Sequence, residues 1–326
     1  MAAETETVQG CGHVNFTPCC NLRGLSMQQL ECAVETAEVD HDGCVFPTFL
    51  HKHSGEYKGR IVFIHGYRDI YELFFGLFNI LTANGYDVHF HYQRGEGTSR
   101  PASNVQSSND DSRVYKDMDF FIKRNLESDE KVILMGHSMG GGLILNYSAF
   151  GTYRDRLLMT VACSPLIELS PETAVPKHHE WAIRALCWAV PPARYVRIKT
   201  PLKVEYVSSL PEVQQFIQSR TPPVRLTATA IEARDFVLRG KRLLQPELYT
   251  SYNRDLPIAI LHGNADHIND CRASKTFIDN LQSAGCTHAS YTELDGAAHN
   301  LAVEPCSDIF FRQLLNILDA NRRTGQ

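Results

Sequence analysis

The stretch that decides the fold is Lys131-Val132-Ile133-Leu134-Met135-Gly136-His137-Ser138-Met139-Gly140-Gly141, where an apolar run of strand length leads into a glycine-rich turn. A helical pattern follows directly at 141–150. The small residues around Ser138 permit the tight strand-to-helix turn that lifts a serine above the edge of a parallel sheet. A helix that begins there also aims backbone N–H groups at any oxyanion formed beside the serine. We therefore predict that Ser138 is a nucleophile; the alternative is an idle serine in a glycine-rich turn.

Strand and helix patterns alternate on both sides of this turn. Further strand-like runs stand at 60–65, 86–93, 158–163, 257–261 and 289–294, and helical patterns lie near 71–84, 114–125, 272–283 and 306–321. The segment 33–52 is typical of a hairpin around Asp42-Gly43, because Asp-Gly suits the positive φ of a tight turn. This alternation predicts an α/β fold with a mostly parallel sheet and helices on both faces.

Proline marks an insertion into this alternation. Nine of the 15 prolines fall within 165–223, where strand-like runs nearly disappear. We predict an N-terminal tail at 1–32, an α/β core at 33–164 and 251–326, and a helical cap inserted at 165–250. Within the cap, 181–190 is apolar almost all round, which is typical of a helix that is buried on two sides or that contacts another apolar surface.

Composition and charge exclude several classes of protein. The 326 residues are 43% apolar and 21% charged, as in soluble globular proteins. A net charge of −5 provides no basic field for a phosphate backbone, so we expect no nucleic-acid partner. The sequence shows no export signal and no apolar run of the roughly 18 to 20 residues that a membrane span requires, which predicts a cytoplasmic or peripheral protein.

The ten cysteines are too sparse for a disulfide scaffold in such a chain, so we expect reduced thiols. The one crowded group consists of Cys11, His13, Cys19 and Cys20. It has no second half at the spacing of a zinc finger, so we predict no metal site.

A nucleophilic serine needs a base, and in this fold the partners follow in the order serine, acid, histidine. His299 stands in a loop of small residues just past the last strand-like run. Asp266 stands a few residues past the preceding run, and both positions are strand ends at which active sites of parallel sheets form. We predict a triad of Ser138, Asp266 and His299, with Asp270 and Asp295 as competitors for the acid.

Two backbone donors complete the predicted site. One is the N–H of Met139, the residue after the nucleophile, and the other is expected in the loop after the strand at 60–65. His65-Gly66-Tyr67 occupies that loop, so we assign the second donor to the N–H of Tyr67.

A set of motifs in this order resembles the monoacylglycerol lipase and lysophospholipase branch of the α/β-hydrolases, and fungal monoglyceride lipases most of all. The motifs are His65-Gly66-Tyr67, Arg94-Gly95-Glu96-Gly97, Gly136-His137-Ser138-Met139-Gly140, Ser164-Pro165-Leu166, Asp235-Phe236-Val237, His262-Gly263-x-x-Asp266, Ile268-Asn269-Asp270 and Gly296-x-x-His299. The resemblance spans roughly 37–319. It implies an eight-stranded sheet, the same triad and the same oxyanion pair.

The resemblance also implies a reaction and a place for the substrate. The enzyme would cleave monoacylglycerol to fatty acid and glycerol through an acyl-enzyme without a cofactor, and the cap would be a lid that contacts a membrane or lipid droplet. It implies substrate contacts at Asp69, Trp181, Leu186 and Trp188. A lysophospholipase or general carboxylesterase is the near alternative, and a non-catalytic interaction protein is the distant one.

This chain departs from the family pattern at two places. Arg68-Asp69 stands where the family usually has Gly-Glu, and Tyr92 replaces an Asp ahead of the Arg-Gly loop. The triad is untouched by these changes. They leave open how the glycerol head group is recognised near Asp69, and with it the preferred ester.

Overall fold

The computed structural model of the chain describes residues 30–127, 130–220 and 226–322. The predicted N-terminal tail therefore lies outside the described residues except for 30–32. The same holds for the crowded group Cys11, His13, Cys19 and Cys20.

Strands and helices of the described residues follow the predicted alternation. The strands are β1 (Val34–His41), β2 (Cys44–His51), β3 (Gly59–Ile64), β4 (Tyr86–His91), β5 (Arg100–Pro101), β6 (Val132–His137), β7 (Leu157–Cys163), β8 (Arg197–Lys199), β9 (Thr227–Thr229), β10 (Ile258–Gly263) and β11 (Ala289–Leu294). The helices are α1 (Phe75–Ala83), α2 (Asp111–Asn125), α3 (Met139–Phe150), α4 (Lys177–Ala189), α5 (Pro211–Gln218), α6 (Ala230–Leu243), α7 (Pro246–Tyr249), α8 (Cys271–Ser283) and α9 (Ser307–Arg322). Short 3₁₀ turns precede α1 and connect several of the other elements.

The main sheet has the strand order β1-β2-β4-β3-β6-β7-β10-β11. Neighbours from β4 to β11 are parallel, whereas β1 with β2 and β2 with β4 are antiparallel. The prediction of a mostly parallel sheet with helices around it is thereby confirmed. The two-residue strand β5 also pairs with β2, and it is too short to leave a periodic signal in the sequence.

Strand β3 is apolar at consecutive positions because it packs against other elements on both of its faces. Val62 and Ile64 pack in the core cluster that includes residues of α2, α3 and α8. Ile61 and Phe63 point to the opposite face and pack with residues of α1 and α9. Since successive side chains of a strand alternate between faces, a strand covered on both sides buries every one of them. Each such side chain contributes roughly 1.5 to 3 kcal/mol of burial, which fixes β3 at the centre of the sheet.

The segment between β7 and β10 contains α4 to α7 and a separate two-stranded sheet of β8 and β9. Cys187 of α4 is buried beside Ala230 and Ile231 of α6, so these two helices pack against each other. We keep the division into an α/β core and an inserted cap as our interpretation of this segment. Within the described ranges, no helix is both long and apolar enough to cross a membrane.

Candidate active site

Ser138 occupies the sharp turn between β6 and α3. Its backbone has φ 54° and ψ −120°, a strained combination for a residue with a side chain. Its N–H donates to the carbonyl of Cys163 at 2.9 Å, and its own carbonyl accepts from the N–H groups of Gly142 and Leu166 at 3.0 and 2.8 Å. These three bonds hold the turn in the strained geometry that exposes a nucleophilic hydroxyl.

Two glycines allow the backbone to pass close to this turn. A Cβ on Gly140 would lie 2.0 Å from the carbonyl oxygen of Ile64, so only glycine lets α3 approach the end of β3. A Cβ on Gly66 would lie 2.8 Å from the Cβ of Ser138. The loop after β3 therefore runs directly against the serine.

His299 and Asp266 come together at the carboxyl ends of β11 and β10. The His299 Nδ1 lies 2.7 Å from the Asp266 Oδ2, and both side chains are buried. His299 also lies beside the serine turn, because its ring centroid is 4.8 Å from that of His137. The predicted acid and base are thus bonded to each other, and the base lies next to the residue that precedes the predicted nucleophile.

Asp266 accepts four hydrogen bonds, and their partners explain its charge. Its Oδ1 accepts from the backbone N–H groups of Ile268 and Asn269 at 2.7 and 3.0 Å. Its Oδ2 is shared between His299 and the Nε2 of His262, which lies at 3.0 Å. Burial alone would raise the pKa of Asp266, but the neighbouring histidines outweigh it and hold this pKa well below the usual range.

His262 is a member of the site that sequence reasoning missed. Its ring is buried, with Nδ1 2.8 Å from the Ser274 Oγ and Nε2 directed at Asp266. The signal was present in His262-Gly263-x-x-Asp266, where the histidine at the strand end and the acid four residues later meet on one side of the turn.

The competing acids have other partners. Asp270 caps α8 by accepting from the N–H of Arg272. The Asp295 Oδ1 accepts from the Nδ2 of Asn264 at 2.9 Å. Of these three carboxylates, Asp266 is the one bonded to His299.

Tyr67, Ser138 and Met139 line one cavity. Met139 is the first residue of α3, so its N–H has no acceptor within the helix. The ring of His65 anchors the loop that carries Tyr67: Nδ1 lies 2.7 Å from the Gly66 carbonyl, and Nε2 accepts from the N–H of Gln93 at 2.8 Å. Burial lowers the pKa of His65, which keeps the ring in the neutral form that can both donate and accept.

Asp69 and His137 form a buried pair beneath the same loop. The Asp69 Oδ2 accepts from the N–H of Gly66 at 2.6 Å and lies 2.7 Å from the His137 Nδ1. Burial opposes charge on both groups, but their mutual attraction outweighs it, lowering the pKa of Asp69 and raising that of His137. The carboxylate of Asp69 is thus engaged within the protein, and its contact with a glycerol head group stays a prediction. A pair 68 residues apart leaves no local sequence signal.

The cavity in front of Ser138 has a volume of about 430 Å³. Its walls are mainly apolar side chains from the segment between β7 and β10, among them Leu166, Leu169, Ile183, Ile198, Phe236 and Val237. Such a chamber fits an extended hydrocarbon group whose one polar end reaches the serine.

The remaining three expected substrate contacts lie on the outer side of α4. Trp181, Leu186 and Trp188 are 72%, 40% and 83% exposed, and none of them lines the cavity. Ile183 and Arg184 of the same helix line it instead. Packing of Cys187 against α6 turns both tryptophans outward, and direct contact of these three residues with the substrate stays a prediction.

The described residues hold no group of three or more His, Cys, Asp or Glu side chains arranged to bind a metal ion. The seven cysteines among them are free thiols.

A family model described as serine aminopeptidase, S33 (Hydrolase_4) matches residues 55–306 of the chain. The chain belongs to this family. The enzyme is thus a serine hydrolase with an α/β-hydrolase fold, and the resemblance drawn from its motifs is confirmed.

Similar proteins place the enzyme near the monoglyceride lipases. The monoglyceride lipase of Saccharomyces cerevisiae is 28% identical over 278 residues, which are 83% of this chain and 88% of that protein. The crystal structure of a soluble variant of the yeast lipase with a substrate analogue is 27% identical, with a TM-score of 0.81 over 90% of this chain and 98% of that one. The monoacylglycerol lipase of Paleococcus ferrophilus, at 21% identity and a TM-score of 0.71, covers 84% of this chain and 99% of its own, and it shows the shared fold.

Proposed function

We propose that the enzyme hydrolyses monoacylglycerols to a fatty acid and glycerol, with Ser138 as nucleophile. The observation that carries the proposal is the position of Ser138, which lies in the wall of an apolar cavity of about 430 Å³ and directly follows His137, whose ring lies against that of His299 in the buried pair with Asp266. The similarity to monoglyceride lipases along most of the chain supports the same substrate class.

The geometry suggests the following steps. Asp266 accepts a hydrogen bond from the Nδ1–H of His299, which keeps the proton on Nδ1 and leaves the Nε2 free to accept the proton of Ser138 as its Oγ attacks the ester carbonyl. The N–H groups of Tyr67 and Met139 stabilise the oxyanion. His299 then protonates the departing glycerol oxygen, and water activated by the same ring releases the fatty acid and restores Ser138.

Replacing the nucleophile tests this assignment. We expect Ser138→Ala to abolish ester hydrolysis and labelling by a fluorophosphonate probe while the melting temperature stays close to that of the wild type. Ser283→Ala, which removes an exposed hydroxyl at the end of α8, is the matched control and should change neither activity nor labelling. Retained turnover in Ser138→Ala would refute the assignment, and absent labelling of the wild type would favour a non-catalytic role.

One observation favours a second substrate class, the lysophospholipids. Arg184, Lys199 and Arg234 line the cavity, and their cationic side chains suit a phosphate-bearing head group. Of these, Arg234 is paired with Asp235 at 2.6 Å. A panel of monoacylglycerol, diacylglycerol, lysophosphatidylcholine and short p-nitrophenyl esters, compared by kcat/KM, separates the two classes. We expect the highest value for monoacylglycerol.

We also propose that the outer side of α4 contacts a membrane or lipid droplet from the cytoplasmic side. Both tryptophans of the chain, Trp181 and Trp188, are exposed there by 72% and 83%. The segment 177–203 carries six Lys and Arg against one Glu in a chain whose net charge is −5. Aromatic side chains suit the interface of a bilayer, and each cation near an anionic surface adds about 1 kcal/mol.

Flotation with vesicles tests this contact. We expect the wild type to float with phosphatidylcholine vesicles that contain phosphatidylserine, and Trp181→Glu/Trp188→Glu to remain at the bottom of the gradient. Ile309→Glu alters an apolar side chain on α9 that is 47% exposed and serves as the control. Equal flotation, or equal absence of it, in the wild type and the double variant would contradict the proposal.

A further inference from the structure

Arg68 follows Tyr67 and adopts a backbone conformation that its residue type disfavours. Its φ is 58°, in the left-handed region that glycine enters far more readily than residues with a Cβ. Its side chain is nevertheless only 14% exposed. Strained residues of this kind persist only where their surroundings hold them in place, which indicates that the contacts of Arg68 serve a purpose.

The guanidinium of Arg68 joins three segments of the chain. Its Nη1 donates to the carbonyl of Gly95 at 2.9 Å, and its Nη2 donates to the carbonyl of Thr227 at 2.9 Å. Gly95 belongs to the loop after β4, whereas Thr227 begins β9 in the inserted segment. The guanidinium carbon also lies 5.3 Å from the ring centroid of Tyr67. One side chain therefore connects the loop of Tyr67 to the core and to the cap.

Glu96 secures both the side chain and the backbone of Arg68. Its Oε2 lies 3.2 Å from the Arg68 Nη1 and accepts the backbone N–H of Arg68, also at 3.2 Å. That N–H belongs to the peptide unit that begins at the carbonyl of Tyr67, so the bond restrains the rotation of the backbone next to the Tyr67 N–H. Asp69 restrains the loop on the other side through the N–H of Gly66.

The charge of Glu96 depends on Arg68. The pKa of Glu96 is raised to about 7, because burial, with a contribution from Glu232, outweighs the opposing effects of Arg68 and, more weakly, Arg197. A carboxyl this buried would take up a proton if the guanidinium were removed. Arg68 thus favours the charged form of Glu96, and Glu96 in turn holds the guanidinium and the backbone N–H of Arg68 in place.

We propose that Arg68, held by Glu96, is a positioning residue that orients the N–H of Tyr67 toward the oxyanion and couples this donor to the cap. The proposal rests on the proposed function, in which Tyr67 donates to the oxyanion. Three observations support it. Arg68 directly follows Tyr67, which carries the donor. Its guanidinium bonds to the cap strand β9 and contacts the buried carboxylate of Glu96. Loss of Arg68 should weaken stabilisation of the transition state more than binding of the substrate.

Arg68→Gly tests the proposal, because glycine accepts the positive φ and only the side chain is lost. We expect kcat for p-nitrophenyl butyrate to fall about 10- to 100-fold with KM changed less than about threefold, since losing an oxyanion donor outright costs about 100- to 1000-fold. The rate of fluorophosphonate labelling should fall in parallel. Arg68→Lys, which keeps the charge but not the planar fork, should recover part of kcat.

Glu96→Gln and a surface control complete the test. We expect Glu96→Gln to lower kcat about tenfold in the wild type and to have no further effect in Arg68→Gly, which is the signature of two residues acting as a unit. Arg100→Ala removes an ion pair whose partners are both more than half exposed and should leave kcat within about twofold. If Arg68→Gly shows no melting transition and is therefore unfolded, the kcat of Glu96→Gln alone decides whether the pair positions the Tyr67 donor.

The proposal is overturned if folded Arg68→Gly and Glu96→Gln both keep kcat within about twofold of the wild type, or if the two changes reduce kcat independently. A lower melting temperature with unchanged kcat would likewise assign Arg68 a purely structural role. Because the short ester carries no glycerol, a different natural substrate leaves this test valid. Retained turnover in Ser138→Ala would instead refute the proposed function.

Discussion

Asp266→Asn is the most informative change to the proposed triad, because the structure predicts how the amide must sit. The carboxylate accepts four N–H groups, two on each oxygen. An asparagine has one oxygen and one NH₂ group, so in either orientation the NH₂ meets two donors. Turned toward Ile268 and Asn269, it would leave two buried backbone N–H groups unpaired, at about 1 to 3 kcal/mol each. Imidazole rings can change tautomer, so the NH₂ should face the histidines.

This orientation removes the base. To accept from the NH₂, His299 must carry its proton on Nε2 and can no longer take the proton of Ser138. A change of this type in a triad lowers kcat by on the order of 10⁴-fold, which corresponds to about 5 kcal/mol at 1.36 kcal/mol per factor of ten. Since substrate binding does not use Asp266, KM should change little.

The measurement is kcat and KM for p-nitrophenyl butyrate, with the melting temperature as a check on folding. Asp295→Asn is the matched control, because it makes the same chemical change at an exposed carboxylate bonded to Asn264. We expect the control to lose less than about threefold. Asp266→Asn retaining more than about a tenth of the wild-type kcat, or Asp295→Asn falling equally far, would refute the reasoning about the tautomer.

Three further predictions follow from the described contacts. His262→Ala removes a donor to Asp266 and should lower kcat about tenfold at unchanged KM, whereas an effect on melting temperature alone would contradict a role in orienting the acid. Gly140→Ala would place a Cβ 2.0 Å from the Ile64 carbonyl oxygen, so we expect slower fluorophosphonate labelling and a lower melting temperature. Labelling at the wild-type rate would contradict this, because it would show that the end of β3 can move to accommodate the methyl group. The pKa of Asp87 is lowered to about 2, because bonds from Lys52 and His53 outweigh burial, so its stabilisation is present above about pH 4 and lost as the pH falls toward 2. Asp87→Asn should therefore reduce the free energy of unfolding in urea by about 2 kcal/mol at pH 7 and leave it unchanged near pH 2; equal losses at both pH values would contradict this.

The elements that position the site could be predicted because they depend on local patterns. The strands predicted at 131–135, 257–261 and 289–294 end at 137, 263 and 294 in the structure, and these ends place Ser138, Asp266 and His299 on one edge of the sheet. The structure brings Asp266 and His299 within 2.7 Å, as this order predicts, while their catalytic roles stay predictions.

What could not be predicted are contacts between distant segments and the direction in which a helix faces. The run 181–190 is apolar on nearly every side, so its pattern does not show which side packs inward. Tertiary packing of Cys187 against α6 decides this and leaves Trp181 and Trp188 in solvent. The pairing of Asp69 with His137 likewise arises only when the loop after β3 meets the serine turn.

The departure from the family pattern at Arg68-Asp69 bears on which part of the enzyme selects the ester. Both side chains bond within the protein and hold the loop of Tyr67. Polar side chains that line the cavity from the inserted segment, such as Arg184, Lys199 and Thr200, are further candidates for recognition of the head group. Because Arg68 also bonds to the first residue of β9, the segment that would read the head group is connected to the loop that would stabilise the oxyanion. A substrate that seats the cap correctly would thereby improve the geometry of the reaction itself, so selectivity should appear in kcat as well as in KM.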